Sequence, residues 1–295
     1  MTTKEIKDYL ISKGTVFQFN NNNEFEITRI SSLQNLQEES ICWIKSKKFA
    51  TDDVIRDIKK KRTVLVVCPF EIESVNCIIT QYPKGVFFDI LNQFFSKGKI
   101  HEISEKAVIF SDKIGNNVHI GANCFIGDDV TIGDNTIIHP NVSIISPCVI
   151  GHDCEIYPGV VIGTDGFGYF FEEDIPYREK HFMGVKIGDY VDIGANVCID
   201  RGLITDTEIR SHVKIDNLCH IGHNVVIEEN CLVIAGTIIC GSAWIKKNAY
   251  LSPGSVVLNQ IIVEEKAKVG SNSLAISTVR AGSTVLGVPG KRITS

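Results

Sequence analysis

The 295-residue chain has no apolar run near the roughly 20 residues that a membrane-spanning helix needs. The strongest run, Val64–Phe70, is short. The opening stretch Met1-Thr2-Thr3-Lys4-Glu5-Ile6-Lys7-Asp8 lacks the apolar segment of a secretory leader, so a cytoplasmic protein is expected. Basic residues are not in excess: 30 Lys and Arg against 35 Asp and Glu leave a net charge of −5. That argues against a nucleic-acid partner, which requires displacement of phosphate counterions by Lys and Arg. None of the ten cysteines stands in a Cys-x-x-Cys pair. No Gly-x-Gly-x-x-Gly leads from a strand into a helix, which removes the dinucleotide fingerprint. At 44% apolar and 22% charged residues the composition is that of a soluble globular protein of one large or two ordinary domains.

What the chain does have is a period. From Val108 an aliphatic residue recurs at every sixth position as far as Ile162. The series resumes over Ile187, Ile193 and Ile199, and after a four-residue offset it runs from Ile209 to Val269. A helix repeats near 3.6 residues and a strand near 2, so a period of six means short strands joined by tight corners, three hexads to a triangular coil. Each repeating aliphatic then points into the prism. Two positions earlier stands a small residue or Val (Val118, Cys124, Val130, Thr136, Val142, Cys148), which makes cysteines at that position small buried apolar residues. Gly often follows the aliphatic, as at Gly115, Gly121 and Gly188, and a turn of positive φ is expected there. About eight coils at a strand spacing of ~4.8 Å give a rod of about 38 Å.

Two segments leave the hexad, Gly163–Gly184 and Asp200–Glu208, and such loops mark the functional face of a solenoid more often than its core. Residues 1–100 show no hexad and read as a small α/β domain, with 101–295 as the repeat domain. Helices are expected over Lys4–Lys13 and Val86–Ser96. Strands are expected over Phe25–Ile30, Ser40–Ile44 and Thr63–Cys68. Residues 97–104 are the connection, and Lys59-Lys60-Lys61-Arg62 reads as a solvated helix end.

The densest polar cluster in the repeat is Ile215-Asp216-Asn217-Leu218-Cys219-His220-Ile221-Gly222-His223-Asn224-Val225. His223 falls near a corner, on the outside, and histidine is the side chain best suited to taking a proton near neutral pH. Asp216, seven residues earlier, is the expected orienting acid, and His220 is the next candidate base. The alternative for His223 is a surface histidine without chemistry, as for His119, His139 and His152. Gly241 lies one eighteen-residue coil after His223, on the same corner. A glycine there admits a ligand close to the backbone, and its N–H can meet a developing oxyanion. Gly163-Thr164-Asp165-Gly166-Phe167-Gly168-Tyr169 combines three glycines, an acid and two aromatics. It reads either as a substrate loop or as a compact exit turn.

Taken together, Gly163–Tyr169, Ile199-Asp200-Arg201-Gly202, Asp206-Thr207, Ile215-Asp216-Asn217 and His223-Asn224-Val225 resemble the UDP-3-O-acylglucosamine N-acyltransferases of lipid A biosynthesis. A looser match continues through Ile27–Ile30 and Ser40–Phe49. The resemblance implies a mainly β protein, a left-handed parallel β-helix of hexapeptide repeats behind a small α/β nucleotide-sugar domain. It further implies a homotrimer, for which flat faces with outward aliphatics such as Val160 and Val161 are expected. By the same resemblance His223 is the general base, Asp216 its orienting acid and Gly241 the oxyanion donor. Trp43 and Phe49 hold the uracil, with Ser46 in place of the family's asparagine. Asp165, Phe167, Tyr169 and Asn217 are further candidates for the substrate. Gln260 replaces the family's second histidine.

The family's helical C-terminal extension has no counterpart before Ser295. Around Ser271–Thr278 only Leu274 and Ile276 are apolar enough to line an acyl groove. Both points favour a short acyl group on a surface-polysaccharide amino sugar. CoA phosphates would then meet Lys291 and Arg292. A long hydroxyacyl group on acyl carrier protein, as in lipid A synthesis itself, is the alternative. No metal or redox cofactor is expected. Two other classes are a zinc hydrolase on the same prism, which needs three converging histidines, and a non-catalytic scaffold, which needs neither the polar cluster nor the two loops.

Overall fold

The computed structural model describes residues 1–20, 23–96, 98, 101–145 and 147–293. The chain divides into two units, Met1–Lys99 and Ile100–Ser295. Of the connecting stretch 97–104, residues 97, 99 and 100 lie outside the described residues.

The first unit is a five-stranded sheet in the order β1-β5-β4-β3-β2, with helices α1 (Thr3–Ser12), α2 (Asp52–Lys59) and α3 (Pro83–Phe94). Its strands are β1 (Gln18–Asn20), β2 (Arg29–Ile30), β3 (Ser40–Trp43), β4 (Val64–Cys68) and β5 (Asn76–Ile79), parallel except for β1. Helix α1 starts where Thr2 and Glu5 close a reciprocal capping box, and it buries Ile6 and Leu10, which are one turn apart. The central strand β4 is buried at all five positions, as a parallel strand covered on both faces must be. Three elements were not expected from the sequence. Helix α2 is only eight residues long, with Val54, Ile55 and Ile58 as its whole apolar face among charged residues, and β1 and β5 are too short to show alternation. The expected strand Phe25–Ile30 is strand only at Arg29–Ile30, and the basic run after α2 is the solvated helix end foreseen.

The second unit is a left-handed parallel β-helix whose three faces are sheets of eight, ten and nine strands. The repeating aliphatics from Ile120 to Val269 are at most 3% exposed and form one continuous core. The exceptions are the first two: Ile114 is half-buried, and Val108 is 52% exposed, with Ile109 pairing with Ile126 and turning inward in its place. Val160, expected on the outside, is buried at the position two before Ile162, and only Val161 faces out.

Most of the glycines after the aliphatics also differ from expectation, although Gly163, after Ile162, does take a positive φ of 93°. Gly115, Gly121 and Gly188 do not have positive φ. The left-handed conformation falls two residues later, mostly on asparagine (Asn117, Asn123, Asn135, Asn141, Asn224), a residue that tolerates it. Glycine is needed instead for stacking: a Cβ on Gly115 or Gly188 would stand 2.7 Å from a backbone nitrogen of the next coil. The ten cysteines are free thiols, and those in the repeat at 124, 148, 154, 219 and 231 are buried.

Candidate functional site

Strand pairing places Cys198 beside His220 and Ile199 beside Ile221. The corner following His220–Ile221 therefore sits directly over Asp200 and Arg201. The offset between these neighbours is 22 residues, because the segment after Asp200 adds four to a coil. On this corner Phe167, Asp200, His220, His223, Gly241 and Gln260 border a cavity of about 400 Å³.

The imidazole of His223 is oriented by its sequence neighbour. Asn224 is in the left-handed conformation, φ 59°, which turns its side chain back along the corner. The Asn224 amide donates from Nδ2 to the Thr205 carbonyl at 2.7 Å, and its Oδ1 accepts from Leu203 N–H at 3.1 Å. Both partners have a fixed role, so the amide cannot be turned over. His223 Nδ1, 2.9 Å from Asn224 Oδ1, must then be the donor. The lone pair is left on Nε2, which packs against Gly241; a Cβ there would lie 2.6 Å from it. No acceptor meets the Gly241 N–H among the described residues. A ring nitrogen with a lone pair and a backbone N–H that no described group accepts thus belong to two residues bordering one cavity.

Asp216 does not orient His223. Its Oδ1 accepts from Asn217 N–H at 2.8 Å and its Oδ2 from Ala235 N–H at 3.2 Å. It belongs to the previous corner, one side of the triangle away, where it ties neighbouring coils together. Asn217 does the same, its Oδ1 accepting from Ala195 N–H at 2.7 Å, so neither residue borders the cavity.

The carboxylate that does is Asp200, which sequence reasoning passed over as part of a loop. Its Oδ2 is 3.6 Å from His220 Nε2, and Thr164 Oγ1 donates to its Oδ1 at 3.4 Å. Burial pushes the Asp200 carboxyl above its ordinary value, against the opposing pull of His220, Thr164, His223 and His181. A count across the four-residue offset would have found it.

Phe167 lines the cavity and Tyr169 packs on it with ring centroids 4.9 Å apart. Asp165 stands away from the cavity, 3.9 Å from Arg178 Nε. The segment after Tyr169 is an exposed antiparallel hairpin, Tyr169–Glu172 against Ile175–Arg178. Its return limb is pinned to the second excursion by Phe182 N–H to Leu203 O at 3.0 Å and Met183 N–H to Gly202 O at 3.1 Å. Asp206 completes this clamp, accepting from Gly184 N–H at 2.8 Å and pairing with Lys186 Nζ at 2.6 Å.

One outward ladder runs along the same face: Val161, Cys198, His220, Ile238, Val256 and Leu274, in register. Ile238 and Val256 extend the apolar surface expected from Leu274. Lys291 is exposed, and the Arg292 side chain lies outside the described residues. Among the described residues no three His, Cys, Asp or Glu side chains form a metal-holding group. No helix there is long and apolar enough to cross a membrane.

The first unit carries a cavity of its own, about 480 Å³, bordered by Ser31, Gln34, Trp43, Lys45, Phe49 and Phe87 among others. Trp43 stacks on Phe87 at 6.2 Å with its plane tilted 29°, and Phe49 stays half exposed. Ser46 does not reach this cavity; it precedes the short 3₁₀ turn Lys47–Phe49, and its side chain makes no cap hydrogen bond.

Comparison with known proteins adds the following. The bacterial transferase hexapeptide (six repeats) family matches residues 113–146 and 129–164. A protein of Arabidopsis thaliana named probable UDP-3-O-acylglucosamine N-acyltransferase 2, mitochondrial, is 42% identical over 130 residues, 44% of this chain and 43% of that protein. The UDP-3-O-acylglucosamine N-acyltransferase of Herminiimonas arsenicoxydans is 36% identical over 167 residues, 57% of this chain and 44% of that protein. The chain thus spans less than half the length of these relatives. The solved UDP-N-acetylglucosamine acyltransferase of Francisella novicida superposes with a TM-score of 0.60 at 27% identity, over 65% of this chain and 70% of that one.

Proposed function

We propose that this chain, a hexapeptide-repeat protein of the UDP-3-O-acylglucosamine N-acyltransferase family, transfers an acyl group from a thioester to the amine of a nucleotide-linked amino sugar. The observation that carries this reading is the pairing across one cavity of the His223 Nε2 lone pair with the open N–H of Gly241.

The amine attacks the thioester carbonyl while His223 takes its proton at Nε2, and the Gly241 N–H meets the oxyanion of the tetrahedral intermediate. The C–N bond forms and the C–S bond breaks. The proton held by His223 then returns to the departing thiolate. Asn224 keeps His223 in the tautomer that can accept, and Asp200 supplies negative charge near the imidazolium. The reaction so drawn uses no metal or redox cofactor.

Trp43 and Phe49 offer a flat apolar slot of the kind that takes a nucleobase. Gln260 and Phe167 border the place where the sugar amine must lie. The apolar ladder Ile238–Val256–Leu274 is the proposed bed for the acyl chain. Each methylene buried there adds ~0.8 kcal/mol, which favours a chain longer than the short group expected from the polar C-terminal hexads. Exposed Lys291 suits the phosphate of a CoA or phosphopantetheine arm. A cytoplasmic homotrimer is the proposed working form, which light scattering at micromolar concentration tests.

The deciding experiment offers short and long acyl groups, on CoA and on acyl carrier protein, to a panel of nucleotide amino sugars with mass detection of the amide. His223→Ala is expected to keep the fold and lose on the order of 10²–10⁴ in kcat. Failure of every donor–acceptor pair, or near-normal turnover by the variant, would overturn the reading.

A further inference from the structure

His181, in the return limb of the first excursion, is 3% exposed, and its Nε2 has no hydrogen-bond partner. Its Nδ1 lies 3.2 Å from the Glu179 carbonyl oxygen, which can only accept, so Nδ1 carries the proton and Nε2 the lone pair. A buried ring nitrogen left without a partner is costly and calls for a reason. The ring packs edge to face on His223, with centroids 5.2 Å apart and planes at 81°. Gly166 makes this approach possible. A Cβ there would stand 2.7 Å from His223 Cδ2 and 3.0 Å from His181 Nε2.

We propose that His181 is a positioning residue for His223, its buried lone pair placed beside the imidazole that becomes positively charged when the amine proton is taken. The proposal rests on the reading of His223 as the base, and it adds a residue that acts through that base. Buried out of water, the negative end of a neutral imidazole fixed by its own Nδ1–H bond favours the charged form of its neighbour. Backbone pins hold it there: Phe182 N–H to Leu203 O and Met183 N–H to Gly202 O follow it in the chain. The charged and titratable groups facing the pair come from three elements. Asp200, and Arg201 with its Nε on Met183 O at 2.6 Å, lie on the strand Cys198–Arg201. His220 lies on the strand His220–Ile221, 3.6 Å from Asp200. Asp165, beside Arg178, and Glu179, beside Gly168, belong to the excursion itself.

The test is a pH titration of the full chain carrying ¹⁵N-labelled histidine, with His223→Ala to assign the His223 signals, alongside kcat and KM. His181→Phe keeps the volume and removes the lone pair. It is expected to move the His223 midpoint to lower pH and to lower kcat about fivefold with KM unchanged. His181→Gln, whose amide oxygen stands near the place of Nε2, is expected to restore most of both. If the Phe variant does not fold, His181→Gln and His181→Asn ask the same question, with Gln near wild type and Asn shifted. An unchanged His223 midpoint without the lone pair, or equal impairment of the Gln variant and its comparison variant, overturns the proposal. The titration needs no substrate. A shifted midpoint in a protein without acyltransferase activity would strike the base reading and leave the coupling of the two rings standing.

Discussion

At the corner after Ile215 the polar side chains are spent on the backbone: Asp216 accepts from Asn217 N–H and from Ala235 N–H of the following coil, and Asn217 accepts from Ala195 N–H of the preceding one. At the corner after Ile221, one hexad on, Asn224 binds the second excursion and thereby frees the His223 Nε2 to face a cavity. Both corners present an inward isoleucine and short polar residues. The difference lies in what is packed against them. The first meets only other coils of the repeat, whereas the second meets both segments that leave it. On the proposed reading, the second corner is set apart by the excursion beside it, which takes up its structural hydrogen bonds.

That contrast can be broken experimentally. After His223→Ala, Gly241→Ala should have the largest effect. The added Cβ would collide with His223 Nε2 and crowd the oxyanion position, for a loss on the order of 10²–10³ in kcat with the β-helix intact by circular dichroism. Asn224→Ala removes the acceptor for His223 Nδ1 and two ties to Thr205. A loss of about tenfold in kcat is expected, larger than the change in KM, as steady-state kinetics would report.

A smaller effect belongs to the clamp between the excursions. Burial alone would raise the Asp206 carboxyl, but the Lys186 hydrogen bond and the Gly184 N–H hold it below its ordinary value. A depressed folded value means the stabilisation is present above the unfolded value near pH 4 and is lost as pH falls through the folded one. Asp206→Asn should therefore cost about 1 kcal/mol at neutral pH and nothing in strong acid, as denaturant melts at two pH values would show.

The inner surface of the prism was legible because every sixth side chain has no alternative to burial, and the series from Ile120 to Val269 follows it. Gly241 was legible for the same reason: from His223 to Gly241 the coil is undisturbed. Asp200 was hidden by the four residues added after it, which moved its neighbour from eighteen to 22 positions away. Asp216 was set beside His223 because proximity along the chain was taken for proximity in space across a corner, and Asn217, named through the family resemblance, shares the corner of Asp216. His181 shows no pattern, since its burial comes wholly from the packing of an aperiodic loop. In the first unit, α2 was hidden by its shortness and its mostly charged sequence, which leave only Val54, Ile55 and Ile58 to mark an apolar face.

The most direct test of the contrast between corners is the ratio of kcat for Asp216→Ala to kcat for His223→Ala, measured in one acyl-transfer assay. Asp216→Ala removes an acceptor from Ala235 N–H and should cost about 1 kcal/mol of stability while leaving turnover within about twofold of wild type. The account predicts a ratio of at least about 10². A ratio near one, with both variants folded, would place Asp216 back in the catalytic machinery and contradict it.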